Sequence, residues 1–405
     1  MIPVLEFEKR AMEGPVMKMD DFDLALAKAV RKLVKKYELK YNPERLFVDD
    51  ETVDRIFEAG VELLAEVGIY HNDTQRVVKY TVEEIEAIVK EYKDSPPSIT
   101  FGRGKEEHTV VPRKDGDPRP PVVWGLAAGV IQEEWFVPFL LSIAREPVVQ
   151  GFGIAGGIAS VGGVVPKENA PSEIYCGLWE VKAQQEALRL AGRPDMHLGL
   201  IPTVSSVGGT LAVIGPGLRE AHNSMVGIHI IPEQKIDWTR LNLAQAIQER
   251  GISPWTSTMS LLGGLGGGPA GVAVIMMANF IGQLSYGHGK LGSFYVNDMT
   301  GRASHREGLW TLSACLRAIG RNLGVATGTC GGDSGPVFSM EEAIIRGVAM
   351  AVTLTTSSGA YNWGSGIDGI TARVHADVME QVAPITGQKA NELLQSISRL
   401  LDELV

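Results

Sequence analysis

The side chains of this chain that could carry chemistry are polar and aromatic more often than charged. One strand pattern puts His197, Gly199, Ile201 and Thr203 on one side. Others offer Trp255, Ser257 and Met259; Ser293, Tyr295 and Asn297; Thr327 and Thr329 with Asp333 just beyond; and Tyr361, Asn362 and Trp363 with Asp368 beyond. His229 shares a face with Met225 and Gly227 under period-two alternation. A core or loop histidine is the plainer reading of it, a ligand the alternative. No acid–base pair stands out. The eight histidines form no pair at metal spacing, and no metal site is expected. Cys176, Cys315 and Cys330 make no CxxC, which fits the reducing cytoplasm. There is no GxxxxGK[ST], HExxH or GxSxG. Gly151-Phe-Gly-Ile-Ala-Gly156 matches GxGxxG, which in a dinucleotide-binding oxidoreductase opens a helix onto a pyrophosphate. Residues 157–166 do not read as a helix, and no acidic residue ends a second strand about twenty positions on.

These residues become a site only if strands bring them together. From about Pro121, short apolar runs alternate with helical patterns. The strand candidates are 122–125, 148–152, 196–203, 225–230, 255–259, 292–297, 324–329 and 360–364. Helices are predicted at 135–145, 172–191, 238–250, 270–286, 304–322 and 339–355. This is the pattern of an α/β chain, a (β/α)8 TIM barrel over 121–371. A doubly wound open sheet shares the alternation. In a barrel, reactive groups sit at the carboxyl ends of the strands.

Residues 1–120 read as an N-terminal helical extension and connection. Leu24, Leu26, Val30, Leu33, Val34 and Tyr37 make a stripe interleaved with basic residues, either a partner face or a solvated one. A second helix is predicted over 51–67, with Asp50 as N-cap and Gly68 as its stop. Thr81 and Glu84 make a capping box for a third. Residues 97–120 look like a connection or an edge hairpin. The tail 372–405 is helical and would pack on the barrel or on a neighbouring subunit.

With 405 residues and 44% apolar content, the chain is long enough for a large core. A net charge of −10 disfavours nucleic acid. Residues 1–10 are too charged for a signal peptide. No Asp, Glu, Lys or Arg lies between Arg250 and Lys290, yet glycines and Pro269 break the stretch. A buried core helix is expected there, not a membrane span. The glycine loop 263–268 either lets a ligand approach the backbone or is a tight turn.

The run Gly68-Ile-Tyr-His-Asn-Asp-Thr-Gln-Arg-Val-Val-Lys-Tyr-Thr-Val-Glu-Glu-Ile85 resembles the monomethylamine methyltransferase family of methylotrophic archaea. The likeness resumes at Pro121-Val-Val, Ala191-Gly-Arg-Pro-Asp-Met196, Lys235-Ile-Asp237 and Arg306-Glu307. It implies a homo-oligomeric (β/α)8 enzyme that passes a methyl group to the cobalt of a corrinoid (cobalamin) carried on a separate small protein. The family's catalytic pyrrolysine follows the Ala-Gly-Arg-Pro-x-Met island by three residues, which here is Gly199. Its acidic neighbours fall on Asn223 and Ser257, and its Gln and Tyr near Thr327 and Thr329. The resemblance thus implies a non-pyrrolysine methyltransferase.

Cobalt(I) is a strong nucleophile, and a quaternary ammonium leaves as a neutral amine without an adduct, so position and dryness suffice. Aromatic faces at Trp255, Tyr295 and Trp363 would hold such a cation, each contributing about 0.5–2 kcal/mol; they read equally as core. The expected pocket is His197, Thr203, Asn223, His229, Trp255, Ser257, Tyr295, Asn297, Thr327, Asp333 and Trp363, with Gly199 leaving space at its centre. A barrel that binds a small molecule or a corrinoid protein without turnover is the alternative.

Overall fold

The computed structural model describes residues 1–403 except 126–128, 154–156, 201–202, 229–230, 330–338 and 366–367. Seven parallel strands form one curled sheet: β1 Val122–Gly125, β2 Gly151–Phe152, β3 Met225–Gly227, β4 Ser253–Leu261, β5 Leu291–Asn297, β6 Ala326–Thr329 and β7 Tyr361–Ser365. They pair in the order β2-β1-β7-β6-β5-β4-β3, so first and last strands in the chain are neighbours. An open doubly wound sheet does not have that order.

The predicted strand 196–203 is not a regular strand. Single bridges join Gly151 to His197 and Gly199 to Ser224, which places this segment between the two edges of the sheet. Gly199 has φ +78°, which interrupts the pleat. A Cβ there would stand 2.3 Å from the carbonyl oxygens of Phe152 and Gly153. Gly199 is therefore where backbones meet, not space at the centre of a pocket.

Thirteen α-helices lie among the described residues. The six predicted between the strands are found to within a few residues, and Val207–Ala212 is a short helix that was not expected. The tail is two helices, Gly369–Val382 and Gly387–Glu403, broken near Pro384. The helix Pro269–Gly287 is buried on all sides. Strand β4 covers it from within, and Met19–Lys36, Asp50–Val67 and Val82–Asp94 cover it from without. Gly60 lets the outer helix approach so closely that a Cβ would lie 2.3 Å from the Met277 Cβ. Full enclosure explains the uncharged run, since a charge buried without a partner is strongly unfavourable. The N-cap of Asp50–Val67 is Asp49, not Asp50, because the Asp49 carboxylate accepts from the Thr52 amide at 3.0 Å. The Asp50 carboxylate instead binds Arg317 and Arg321. Loop 263–268 is a tight turn, with the Gly263 amide bonded to the Gly267 carbonyl at 2.8 Å.

Residues 97–120 do contain a hairpin, Ile99–Phe101 with His108–Val110. The Gly102 amide donates to the His222 carbonyl (2.7 Å) and the Arg103 amide to that of Asp195 (3.1 Å). These partners precede β3 and the 197–200 segment, so the hairpin seals the amino end of the sheet's hollow.

Candidate active site

Parity along the strands decides which side chains reach the hollow. Gly292 would carry a Cβ into the Phe280 ring on the helix Pro269–Gly287, so it faces the helices and Ser293 faces inward. Gly328 pairs with Ser293 and abuts the Tyr361 ring, so it too faces inward. Thr327 pairs with Gly292 and therefore faces the helix layer, as does Thr329 beside Phe294. The expected lining role of Thr327 is corrected accordingly. All four residues of β6 are buried on both faces, so burial gave no phase to read.

The lower hollow is a closed aromatic stack. His197 lies 4.1 Å from Phe101 and 4.9 Å from Trp124, centroid to centroid. Trp124 Nε1 donates to His108 Nε2 at 3.0 Å. His108 Nδ1 must then carry the proton, facing the Glu106 carbonyl at 3.2 Å. Burial pushes His197 well below the ordinary histidine range, with His108 and Arg219 adding to the effect. His197 is thus a neutral part of the floor. Above it, Trp255 Nε1 donates to the Tyr361 hydroxyl (2.7 Å), which donates to the Gly292 carbonyl (2.5 Å).

Toward the carboxyl ends the lining changes. Trp363 packs edge-on against Trp255 at 5.2 Å and lies 6.2 Å from Tyr295. Ser293 Oγ donates to Ser257 Oγ at 3.2 Å. Asn297 closes β5, its carbonyl taking the Leu262 amide at 2.9 Å. The Trp363 indole N–H is buried and has no hydrogen-bond partner among the described residues. Past Gly199, Leu200 packs in this cluster with Trp124, Trp255 and Trp363, and Ile201 lies outside the described residues. Gly227 pairs with Trp255 and faces the same way.

The other expected residues lie elsewhere. The Asn223 amide oxygen accepts from the Glu220 amide and the Ser224 hydroxyl, both at 2.8 Å, so Asn223 closes a turn below β3 and does not line the hollow. Thr203 Oγ1 accepts from the Ile158 amide at 3.1 Å. Beside it, Glu173 anchors the same loop. Burial would raise its carboxyl, but hydrogen bonds from Ser206, Ser205 and Asn169 outweigh that and hold it below the usual range. His229 and Asp333 lie outside the described residues. Leu200, Gly227, Gly328 and Trp124 were not anticipated. Only Trp124, a large aromatic at a strand end, left a signal.

The islands of resemblance pack as framework. Tyr70 pairs with Lys235 and His71 with Ile236, joining two of them across the fold. Arg193 grips Glu106 at 2.6 Å and the Ala144 carbonyl at 3.1 Å, holding the floor hairpin.

A model of the family "monomethylamine methyltransferase MtmB" matches residues 2–403. The chain belongs to the monomethylamine methyltransferase family. MtmB2 of Methanosarcina acetivorans is 27% identical over 99% of this chain and 87% of its own length. MtmB of Methanosarcina mazei is 31% identical over 68% of this chain and 60% of its own length. Solved structures of Methanosarcina barkeri MtmB and of a hydroxylamine complex of MtmB superpose with a TM-score of 0.89 at 23% identity, covering 99% of this chain and 89% of theirs. The protein is a methyltransferase of this family, and its curled sheet is the family's architecture.

Proposed function

We propose that this methyltransferase moves a methyl group from a small quaternary or otherwise methylated amine to the cobalt of a corrinoid on a partner protein, and does so without pyrrolysine. The hollow is read as the lumen of a (β/α)8 ring closed by residues 197–200. The observation that carries the reading is the lining: Trp255, Trp363, Tyr295, Ser257, Ser293 and Leu200 offer aromatic faces and hydroxyls. Aromatic faces suit an alkylated ammonium, whose charge is spread over methyl groups. Neither Gly199 nor its neighbour Leu200 can form a covalent adduct with an amine. Cobalt(I) supplies the electron pair of the new bond to carbon, and the carbon–nitrogen pair leaves with the neutral amine. The protein's part is to aim the methyl group outward and keep water away.

Exposed Met259, Leu261, Met299 and Ile370 stand at or just beyond the carboxyl ends of β4, β5 and β7. An apolar rim there suits a docking partner. In this reading the cobalt's place is on the partner. Assembly as a homo-oligomer in the cytoplasm belongs to the same reading.

The test is incubation with cob(I)alamin and a panel of methylated amines, betaines and methoxy compounds, followed by absorbance. Methylcobalamin formed from a quaternary amine is expected. Turnover of monomethylamine alone, or silence across the panel, would overturn the proposal.

A further inference from the structure

The segment 197–200 is joined to β2 by ordinary backbone bonds, Phe152 amide to His197 carbonyl (2.9 Å) and Leu200 amide to Gly153 carbonyl (2.8 Å). Toward β3 the joint is weaker. Leu198 donates to the Asn223 carbonyl at 2.7 Å, but the Met225 amide is 3.4 Å from the Gly199 carbonyl. A side chain completes it: Arg219 Nη1 donates to that carbonyl at 2.8 Å and to Ser224 Oγ at 3.3 Å. Arg219 Nη2 donates to Gln184 Oε1 at 2.5 Å and lies 3.8 Å from Glu180 Oε1. Gln184 Nε2 in turn donates to Glu180 Oε1 at 3.3 Å. Glu180 and Gln184 are one turn apart on the helix Pro171–Leu190, and all three side chains are fully buried.

This is an expensive way to fill space. Burial pushes the Glu180 carboxyl up to about 7, with Arg219 and Thr203 opposing it, and the Arg219 guanidinium down to about 10, with Glu180 opposing it. In both groups desolvation outweighs the attraction between them. Apolar side chains of similar volume would stabilise the fold as well or better, so the network has a geometric use.

We propose that Arg219, braced by Glu180 and Gln184, is a positioning residue: it holds the Gly199 carbonyl and thereby sets where Leu200 stands in the lumen. The inference rests on the lumen being the methyl-transfer site, but its first readout does not need turnover.

The test is the double variant Glu180→Leu with Arg219→Met, which leaves no lone buried charge, beside Gln184→Met, which removes only the brace. Hydrogen exchange read by mass spectrometry should show protection of 197–200 falling at least tenfold in the double variant and severalfold in Gln184→Met. Peptides of the 99–110 hairpin should be unchanged. With an accepted methyl donor, kcat should fall at least tenfold while KM moves less than twofold, and Arg219→Lys should not restore it. Wild-type protection at 197–200, or a uniform loss across the chain, in whichever variant folds would overturn the assignment. A wild-type protein that transfers no methyl group but shows the local exchange response would defeat the functional reading and leave the joint intact.

Discussion

The two ends of the hollow are built on opposite principles. At the amino end, Phe101, Trp124, His108 and His197 fill the space ring against ring, and the Trp124–His108–Glu106 chain spends its donors internally. At the carboxyl end Ser257, Ser293 and Gly328 interrupt the aromatic lining of Trp363 and Tyr295, and the Trp363 N–H has no acceptor among the described residues. A fold packed ring against ring at one end and carrying small hydroxyl side chains at the other separates stability from recognition along a single axis.

That contrast can be broken most easily at the floor. Trp124→Ala should lower the unfolding free energy by about 3–5 kcal/mol in urea titrations, since it opens a cavity and strands His108. A loss under about 1 kcal/mol would mean that the floor is not a packed plug. Acid should act at the same end. His197 has its folded-state pKa depressed by burial, so the unfolded chain binds the proton more readily. Stability is then intact above about pH 6.5 and falls as pH drops below it, by up to about 2 kcal/mol at pH 5 from this one group. His197→Phe should flatten that part of the pH–stability curve.

The mouth should respond in affinity instead. Tyr295→Leu is expected to weaken tetramethylammonium binding by about two- to thirtyfold, the range of one aromatic face, as read by calorimetry. Its melting temperature should move little. Ser257→Ala is the mildest change, with stability within about 0.5 kcal/mol of the parent. A large loss there would erase the distinction between the two ends.

Much of this was legible before any coordinates. The alternation of short apolar runs and helices located the strands, and Thr81 with Glu84 forms the capping box that its spacing implied. The phase of individual strands was harder. Residues 326–329 are buried on both faces, so hydrophobicity could not tell Thr327 from Gly328. Alternation also presumes an extended backbone, and the positive φ at Gly199 shifts the next inward residue to Leu200. Asn223 looked available because a sequence does not reveal that its amide is already committed to a turn. Arg219 and Glu180 were invisible, since a charged pair at that separation reads as surface.

The helix Pro269–Gly287 carries a further consequence. It carries no charged side chain, and its outward face is hidden by segments made some two hundred residues earlier. A chain that had lost those first helices would expose the outward face of this uncharged nineteen-residue helix. Such a fragment would be drawn to lipid or to its own copies, so the amino-terminal helices act as a built-in chaperone for the strand-and-helix body they cover.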